Sequence, residues 1–244
     1  MADDVDISIV IPAYDEQVRI GLTLVRTLDY LRVRHPRAEV IVVDDGSRDS
    51  TVQIVRGIAA SDPRVRVLEQ PRNLGKGAAV RRGVLDARGA LILFMDADLA
   101  TPIEELDTLQ MWAAEGYDVV IGSRALPDSD IRAHQPAARE MMGRVFNVLV
   151  RTALLGGIKD TQCGFKLFRR AAGRELFSRQ QLDGFAFDVE VLLLARDLGY
   201  RVREVPVVWY HAPNSKVSPI SDAKKMLTDI VKLRLARLAG KMRP

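Results

Sequence analysis

One cysteine, Cys163, stands in 244 residues. A lone thiol excludes an internal disulfide and a cysteine-built zinc site, so a reducing compartment is expected. No apolar run approaches the roughly 20 residues that span a bilayer. The opening MADDVD is acidic where a secretory signal would be basic, so neither export nor membrane spanning is expected. Aromatic residues make up only 6% and do not interleave with the basic residues, which with the lack of a binding motif argues against nucleic acid as partner. Low-complexity tracts and internal repeats are also missing.

What is present is a core-forming composition. Apolar residues reach 48% and charged residues 28%, interspersed, as in a folded globular chain of one large domain. The net charge of +4 is unevenly placed. Residues 224–244 hold Lys224, Lys225, Lys232, Arg234, Arg237, Lys241 and Arg243 against Asp229 alone, so this tail carries +6 and the rest of the chain −2.

From Asp6 to Ser123, apolar runs alternate with amphipathic stretches. DISIVIP (6–12), EVIVVDD (39–45), RVRVLEQ (64–70), ALILFMD (90–96) and YDVVIGS (117–123) read as strands. Helical patterns fall at about 16–34, 49–61, 75–88 and 103–115. The order predicts an α/β fold with a mixed, mostly parallel sheet flanked by helices on both faces. Further on, helices are expected over 137–155, 187–199 and 221–238, and strands over 164–170 and 200–210. The apolar face from Met141 to Val150 would serve either the core or a homodimer interface.

Ligands of such sheets bind at the carboxyl ends of the strands. Asp15 and Glu16 follow the first strand, Asp44 and Asp45 end the second, and Asp96 and Asp98 follow the fourth, so these carboxylates should converge on one edge. An Asp-x-Asp pair at the end of a buried strand repels itself and calls for positive charge. With no His or Cys nearby, Mg²⁺ or Mn²⁺ is the chemical match, and such ions typically bridge few carboxylates to substrate phosphates. A surface loop-capping pair is the alternative. In VDDGSRDST, Gly46 suits a tight turn and Asp45 is left to accept hydrogen bonds from a base or ribose. NLGKGAAVRRG opens a helix with Gly75, Lys76 and Gly77, where amides and an ammonium could face phosphate, although GxxxxGK[ST] is not matched. An ordinary helix start explains it equally.

VIPAYDE (10–16), VVDDGS (42–47), NLGKGAAV (73–80) and MDADL (95–99), in this order, resemble the family 2 glycosyltransferases of GT-A fold. DTQCGFKLFRR (160–170) and FAFDVEVLLLA (185–195) are similar to the polyprenyl-phosphate sugar transferases, especially the dolichyl-phosphate glucosyltransferase branch. The resemblance covers about residues 6–217. It implies a GT-A domain over 1–217. Residues 218–244, basic and with apolar residues at helical spacing, read as a C-terminal amphipathic helix that suits either an anionic membrane surface or packing on the core with a solvated basic face. The resemblance also places Pro12, Tyr14, Glu16, Val43 and Asp45 around a nucleoside, with Lys76 close by. Asp96, Ala97 and Asp98 would face the donor diphosphate, Asp98 through the metal and Asp96 as its companion ligand. Arg124, Arg139 and Lys216 match basic positions that grip donor and acceptor phosphates, and Asp96, Asp98 and Arg124 are the expected catalytic set. Mannosyl relatives often carry DADLQ, a metal-binding glutamine where this chain has Ala100, which removes one protein ligand. The QxxRW signature of processive synthases is absent, which argues against long-chain polymer synthesis.

The implied reaction moves a hexose, glucose first, with inversion from a UDP-sugar to a polyprenyl or dolichyl phosphate, in cell-envelope or glycoprotein biosynthesis. The enzyme would sit peripherally on the cytoplasmic face of a membrane. A GDP-mannose-dependent mannosyltransferase remains an alternative. So does a soluble family 2 enzyme acting on a sugar hydroxyl, which would need a base such as Asp188 or Glu190. The other reading of those two acids is that they orient the acceptor loop or pair with Arg or Lys. A lectin-like descendant would bind the nucleotide sugar without consuming it.

Overall fold

The computed structural model describes residues 5–132, 155–211 and 221–238. In chain order the elements are β1 (Ile7–Ala13), α1 (Ile20–Arg34), β2 (Ala38–Asp44), α2 (Thr51–Ser61), β3 (Val65–Glu69), α3 (Lys76–Asp86) and β4 (Leu91–Met95). A 3-10 turn (Ile103–Glu105) then leads into α4 (Leu106–Ala114), β5 (Val119–Ser123) and β6 (Asp130–Ile131). The second half contributes β7 (Phe165–Arg169), α5 (Arg170–Arg179), α6 (Phe187–Asp197), β8 (Val202–Pro206), β9 (Val208–Trp209) and α7 (Ser221–Leu238).

Seven strands form one sheet in the order β3-β2-β1-β4-β7-β5-β8. All neighbours are parallel except β7, which runs antiparallel to both β4 and β5. Alternating side chains divide the core between the two faces. Ile7, Ile9, Ile11, Val40, Val42, Leu93 and Met95 pack toward α1, α2 and α4. Val10, Ile41, Val43, Ile92 and Phe94 face α3, α5, α6 and α7. Because helices cover both faces, the whole of β2 is buried, and its sequence is accordingly a near-continuous apolar run.

Two details depart from the sequence reading. The strand expected over 200–210 is two strands in different sheets. Pro206 is the last residue of β8 to pair with β5, the ladder closing on Val207 N, which donates to Ser123 O at 3.3 Å; Val208 and Trp209 pair instead with β6. Helix α5 was not anticipated, because its polar sequence RAAGRELFSR buries only Ala172, Gly173, Leu176 and Phe177. Gly173 lets it approach β7, with Phe168 Cβ at 3.3 Å from the position of a glycine-borne Cβ. Most of the expected 137–155 helix lies outside the described residues.

Candidate active site

The order β2-β1-β4, all parallel, brings the carboxyl ends of these three strands to one edge, as the acidic pattern required. There a cleft of about 330 Å³ is lined by Pro12, Ala13, Tyr14, Glu16, Arg19, Asp45, Asn73, Gly75, Lys76, Ala79, Asp96, Ala97, Asp98 and Phe185. Two non-glycine residues at its rim, Asp15 and Leu99, adopt φ of +52°. Asp15 is held there by its neighbour loop: its N–H donates to Ser47 Oγ at 2.8 Å, and its carboxylate accepts from Arg48 N at 2.8 Å.

The doubled acid after β2 divides its labour. Asp44 turns back on its own loop, accepting from the amides of Gly46 at 3.0 Å and Ser47 at 3.1 Å. Asp45 accepts from Leu74 N at 2.7 Å, Gly75 N at 2.9 Å and Gln70 Nε2 at 2.8 Å. Burial nevertheless keeps its pKa above the usual carboxylate value, and the adjacent Asp44 adds to the rise. Asp45, read from the sequence as a ligand acceptor, does line the cleft, with three internal donors already engaging its oxygens. The GKG helix start is likewise engaged, since Gly75 N serves Asp45 and Ala78 N donates to Asp183 O at 3.2 Å. Thus Lys76 is the part of this motif that carries charge into the cleft.

Its ammonium lies 2.7 Å from Asp96 Oδ1 and 5.3 Å from the centre of the Phe94 ring. Against the depression that burial would cause, Asp96 and then Asp188 hold the Lys76 pKa above its ordinary value. Asp98 has weaker compensation. One of its oxygens accepts from Ala100 N at 3.0 Å, and Arg19 approaches the other only to 3.9 Å. Burial first, then repulsion from Asp96, raise its pKa. The Arg19 guanidinium is committed mainly to Glu16, with hydrogen bonds of 2.7 and 2.6 Å. Four carboxylates therefore meet two cations in the lining, and an anionic ligand would deepen the imbalance.

A hard divalent cation fits this arrangement. Asp96 and Asp98 are partly exposed in the cleft, and among the described residues no cluster of three or more His, Cys, Asp or Glu side chains could cage a metal alone. Oxygens of a bound diphosphate and water would have to complete the shell, which is the usual pattern for Mg²⁺ and Mn²⁺. Ala100 supplies no side-chain ligand, yet its main chain is structural: Ala100 N braces Asp98, and Ala100 O accepts from Tyr210 N at 2.7 Å.

Several expected residues sit elsewhere. The Val43 side chain is fully buried against α3 and does not line the cleft. Arg124 is absent from the cleft lining and grips the buried Asp160 through Nε at 2.7 Å and Nη2 at 2.9 Å. Burial opposes the guanidinium's charge, but Asp160 raises its pKa; reciprocally, Arg124 overcomes the effect of burial and holds Asp160 down at about 2. Arg139 and Lys216 lie outside the described residues. Asp188 is buried against Lys166 at 2.6 Å, and Glu190 accepts from Gln181 N at 3.0 Å and Leu182 N at 2.8 Å; neither lines the cleft. Burial pushes the Cys163 thiol up to about 12, so it stays protonated and inert. Sequence reasoning missed Arg19, Asn73 and Phe185. Arg19 had a readable signal in its i,i+3 spacing from Glu16, and Asn73 and Phe185 open two of the quoted motifs.

The family model of glycosyl transferase family 2 matches residues 8–177. A dolichyl-phosphate beta-glucosyltransferase of Trichomonas vaginalis is 42% identical over 241 residues, 95% of this chain and 71% of that protein. The Dictyostelium discoideum protein of the same name is 38% identical, covering 98% of this chain and 76% of its own length. The human protein is 36% identical, with 97% and 77% covered. Among solved structures, glucosyl-3-phosphoglycerate synthase from Mycobacterium tuberculosis, in complex with Mn²⁺, uridine diphosphate and phosphoglyceric acid, superposes with a TM-score of 0.70. It is 22% identical over 94% of this chain and 78% of its own, a likeness of fold, the GT-A arrangement.

Proposed function

The chain belongs to glycosyl transferase family 2, and from that premise we propose that it transfers glucose from UDP-glucose to dolichyl phosphate or another polyprenyl phosphate. The observation that carries this reading is the acid-rich cleft at the ends of β1, β2 and β4, with four carboxylates set against Lys76 and Arg19. The names of the relatives supply the sugar and the lipid phosphate.

In the reaction, an acceptor phosphate oxygen attacks the anomeric carbon while the bond to the diphosphate breaks on the opposite face, inverting the centre. The electron pair leaves with the nucleoside diphosphate. Asp96 and Asp98 would hold Mg²⁺ or Mn²⁺, which when bound supplies Lewis-acid stabilisation of the leaving group. Lys76 holds Asp96, and together with Arg19 brings positive charge to the donor side, where preorganised charge is worth most. Pro12, Tyr14 and Asp45 would frame the nucleoside. Arg124, Arg139 and Lys216 remain proposed phosphate contacts, Arg124 by release from or alongside Asp160.

A phosphate monoester has a second pKa of about 6 and is already nucleophilic at neutral pH. This chemistry needs no general base, and the burial of Asp188 and Glu190 away from the cleft favours it over transfer to a hydroxyl. A lipid acceptor places the enzyme at a membrane surface, here the cytoplasmic face, with residues 218–244 as the contact and 1–217 as the transferase domain.

The test is an assay with polyprenyl phosphate, Mg²⁺ or Mn²⁺, and UDP-glucose, UDP-GlcNAc and GDP-mannose in parallel. Glucolipid should form from UDP-glucose, and Asp98→Ala should reduce turnover by about 10²-fold or more, the scale of losing one preorganised electrostatic group. Product from GDP-mannose alone would overturn the donor assignment, and no glycolipid from any donor would overturn the reaction.

A further inference from the structure

Among the described residues, the Lys166–Asp188 pair is the most deeply buried ion pair near the cleft, with side chains only 2% and 3% exposed. Neither group is among the residues that line the cleft. A buried pair is costly to desolvate and often adds no net stability over apolar residues of similar volume. Its position offers another reason for its presence.

Lys166 lies on β7 opposite Phe94 of β4, one residue before the strand opens into the Asp96 loop. Its ammonium donates to Asp188 Oδ1 at 2.6 Å and to Cys163 O at 2.5 Å, and so fixes the turn at Cys163 and Gly164. That turn presses on Asp96 from two directions. Gly164 O accepts from Asp96 N at 3.0 Å, and a Cβ built on Gly164 would fall 2.0 Å from Asp96 Oδ2. On the far side Lys76 holds Asp96 Oδ1 at 2.7 Å, with both lysines set over the Phe94 ring, at 5.3 and 5.7 Å. The Asp96 carboxylate is thus clamped between a bare glycine and an ammonium.

We propose that Lys166, Asp188 and Gly164 are positioning residues that aim the Asp96 carboxylate into the cleft, the ion pair by fixing the turn and Gly164 by leaving room for the oxygen. This rests on the transferase reading for its consequence, and on geometry alone for the contact. Replacing both charges together avoids leaving one unpaired, so Lys166→Met/Asp188→Leu should fold with a urea midpoint near that of the wild type. It should bind UDP with Mn²⁺ at least fivefold more weakly by calorimetry and raise the donor KM, while leaving the acceptor KM unchanged. If that variant does not fold, Asp188→Asn is read in the same way.

The second arm needs no turnover. Gly164→Ala should lower the urea midpoint in the wild-type background and lower it far less in an Asp96→Ala background, where the obstructing oxygens are gone. Equal losses in the two backgrounds, or a folded charge-free variant that binds UDP and Mn²⁺ as the wild type does, would overturn the proposal. Failure of the glucosyl assay alone would overturn the reaction and leave the Gly164–Asp96 cycle to decide the clamp.

Discussion

Arg124 shows how a side chain that matches a motif can already be held by a distant partner. Its guanidinium meets Asp160 in a bidentate pair, and Asp160 is 1% exposed in its side chain. Removing the cation by Arg124→Gln leaves a buried carboxylate without its partner, a change that costs about 3–5 kcal/mol. The sign with pH follows from the depressed pKa of Asp160, about 2 when folded against about 3.9 for the unfolded chain. The stabilisation is complete above the unfolded value and is lost as pH falls through the folded one. The gap in urea midpoint between wild type and Arg124→Gln should therefore be widest near pH 7 and close between about pH 4 and 2. A gap independent of pH would assign the effect to packing of the arginine stem. At this scale the sequence was legible where a residue type forces its chemistry. Asp96, Asp98, Glu16 and Lys76 all reach the cleft, since adjacent parallel strands leave their terminal loops nowhere else to go. It was illegible where packing or a distant partner decides: α3 covers the Val43 side chain, Asp160 engages Arg124, and three donors of the 70–75 segment engage Asp45 at the cleft wall.

Among the elements, α3 sits tightly on the sheet, and a glycine makes it so. A Cβ on Gly83 would stand 2.4 Å from Val10 Cγ1 and 2.9 Å from Val43 Cγ2. This approach carries the amino end of α3, and with it Lys76, to the ends of β1 and β2. Gly83→Val should force α3 outward and cost about 1–3 kcal/mol by overpacking. Chemical denaturation would show the loss, and because Lys76 moves with the helix, UDP–Mn²⁺ affinity should fall together with stability. Retained affinity in a destabilised variant would mean that Lys76 is placed by its own loop rather than by the helix. The same seat is supported from above: a Cβ at Gly75, where φ is +110°, would lie 2.3 Å from Asp183 O, and Glu190 secures the amides of Gln181 and Leu182 just before it. Elements with strong apolar periodicity were readable from sequence, but the antiparallel insertion of β7 between β4 and β5 was not. Pairing of strands 70 residues apart leaves no local pattern, and α5 buries too narrow a face to announce itself.

For the whole molecule, the open question is how a fold with its core on both sides of one sheet meets a lipid substrate. Among the described residues no helix is long and apolar enough to cross a bilayer. Helix α7 has two apolar aspects. Ile230 and Leu233 are buried in the same core cluster as residues of α3 and α6, while Leu227, Val231 and Leu235, spaced by four, are 47%, 49% and 60% exposed. Lys225, Lys232 and Arg234 are exposed on the same helix. Apolar residues left outside a packed domain beside basic ones suit the boundary of an anionic lipid surface, where each lysine or arginine adds about 1 kcal/mol. Replacing Leu227, Val231 and Leu235 with serine leaves the buried pair in place, so the fold should survive. Co-sedimentation with phosphatidylserine-containing vesicles should then fall at least tenfold, and binding by the wild type should weaken as salt rises, since screening shortens the reach of the basic residues. Turnover on a short, water-soluble polyprenyl phosphate should be unaffected by the triple substitution, while turnover on vesicle-embedded acceptor falls with binding. Equal loss on both acceptors would place the stripe in the transferase itself, and unchanged vesicle binding would remove α7 from the membrane contact.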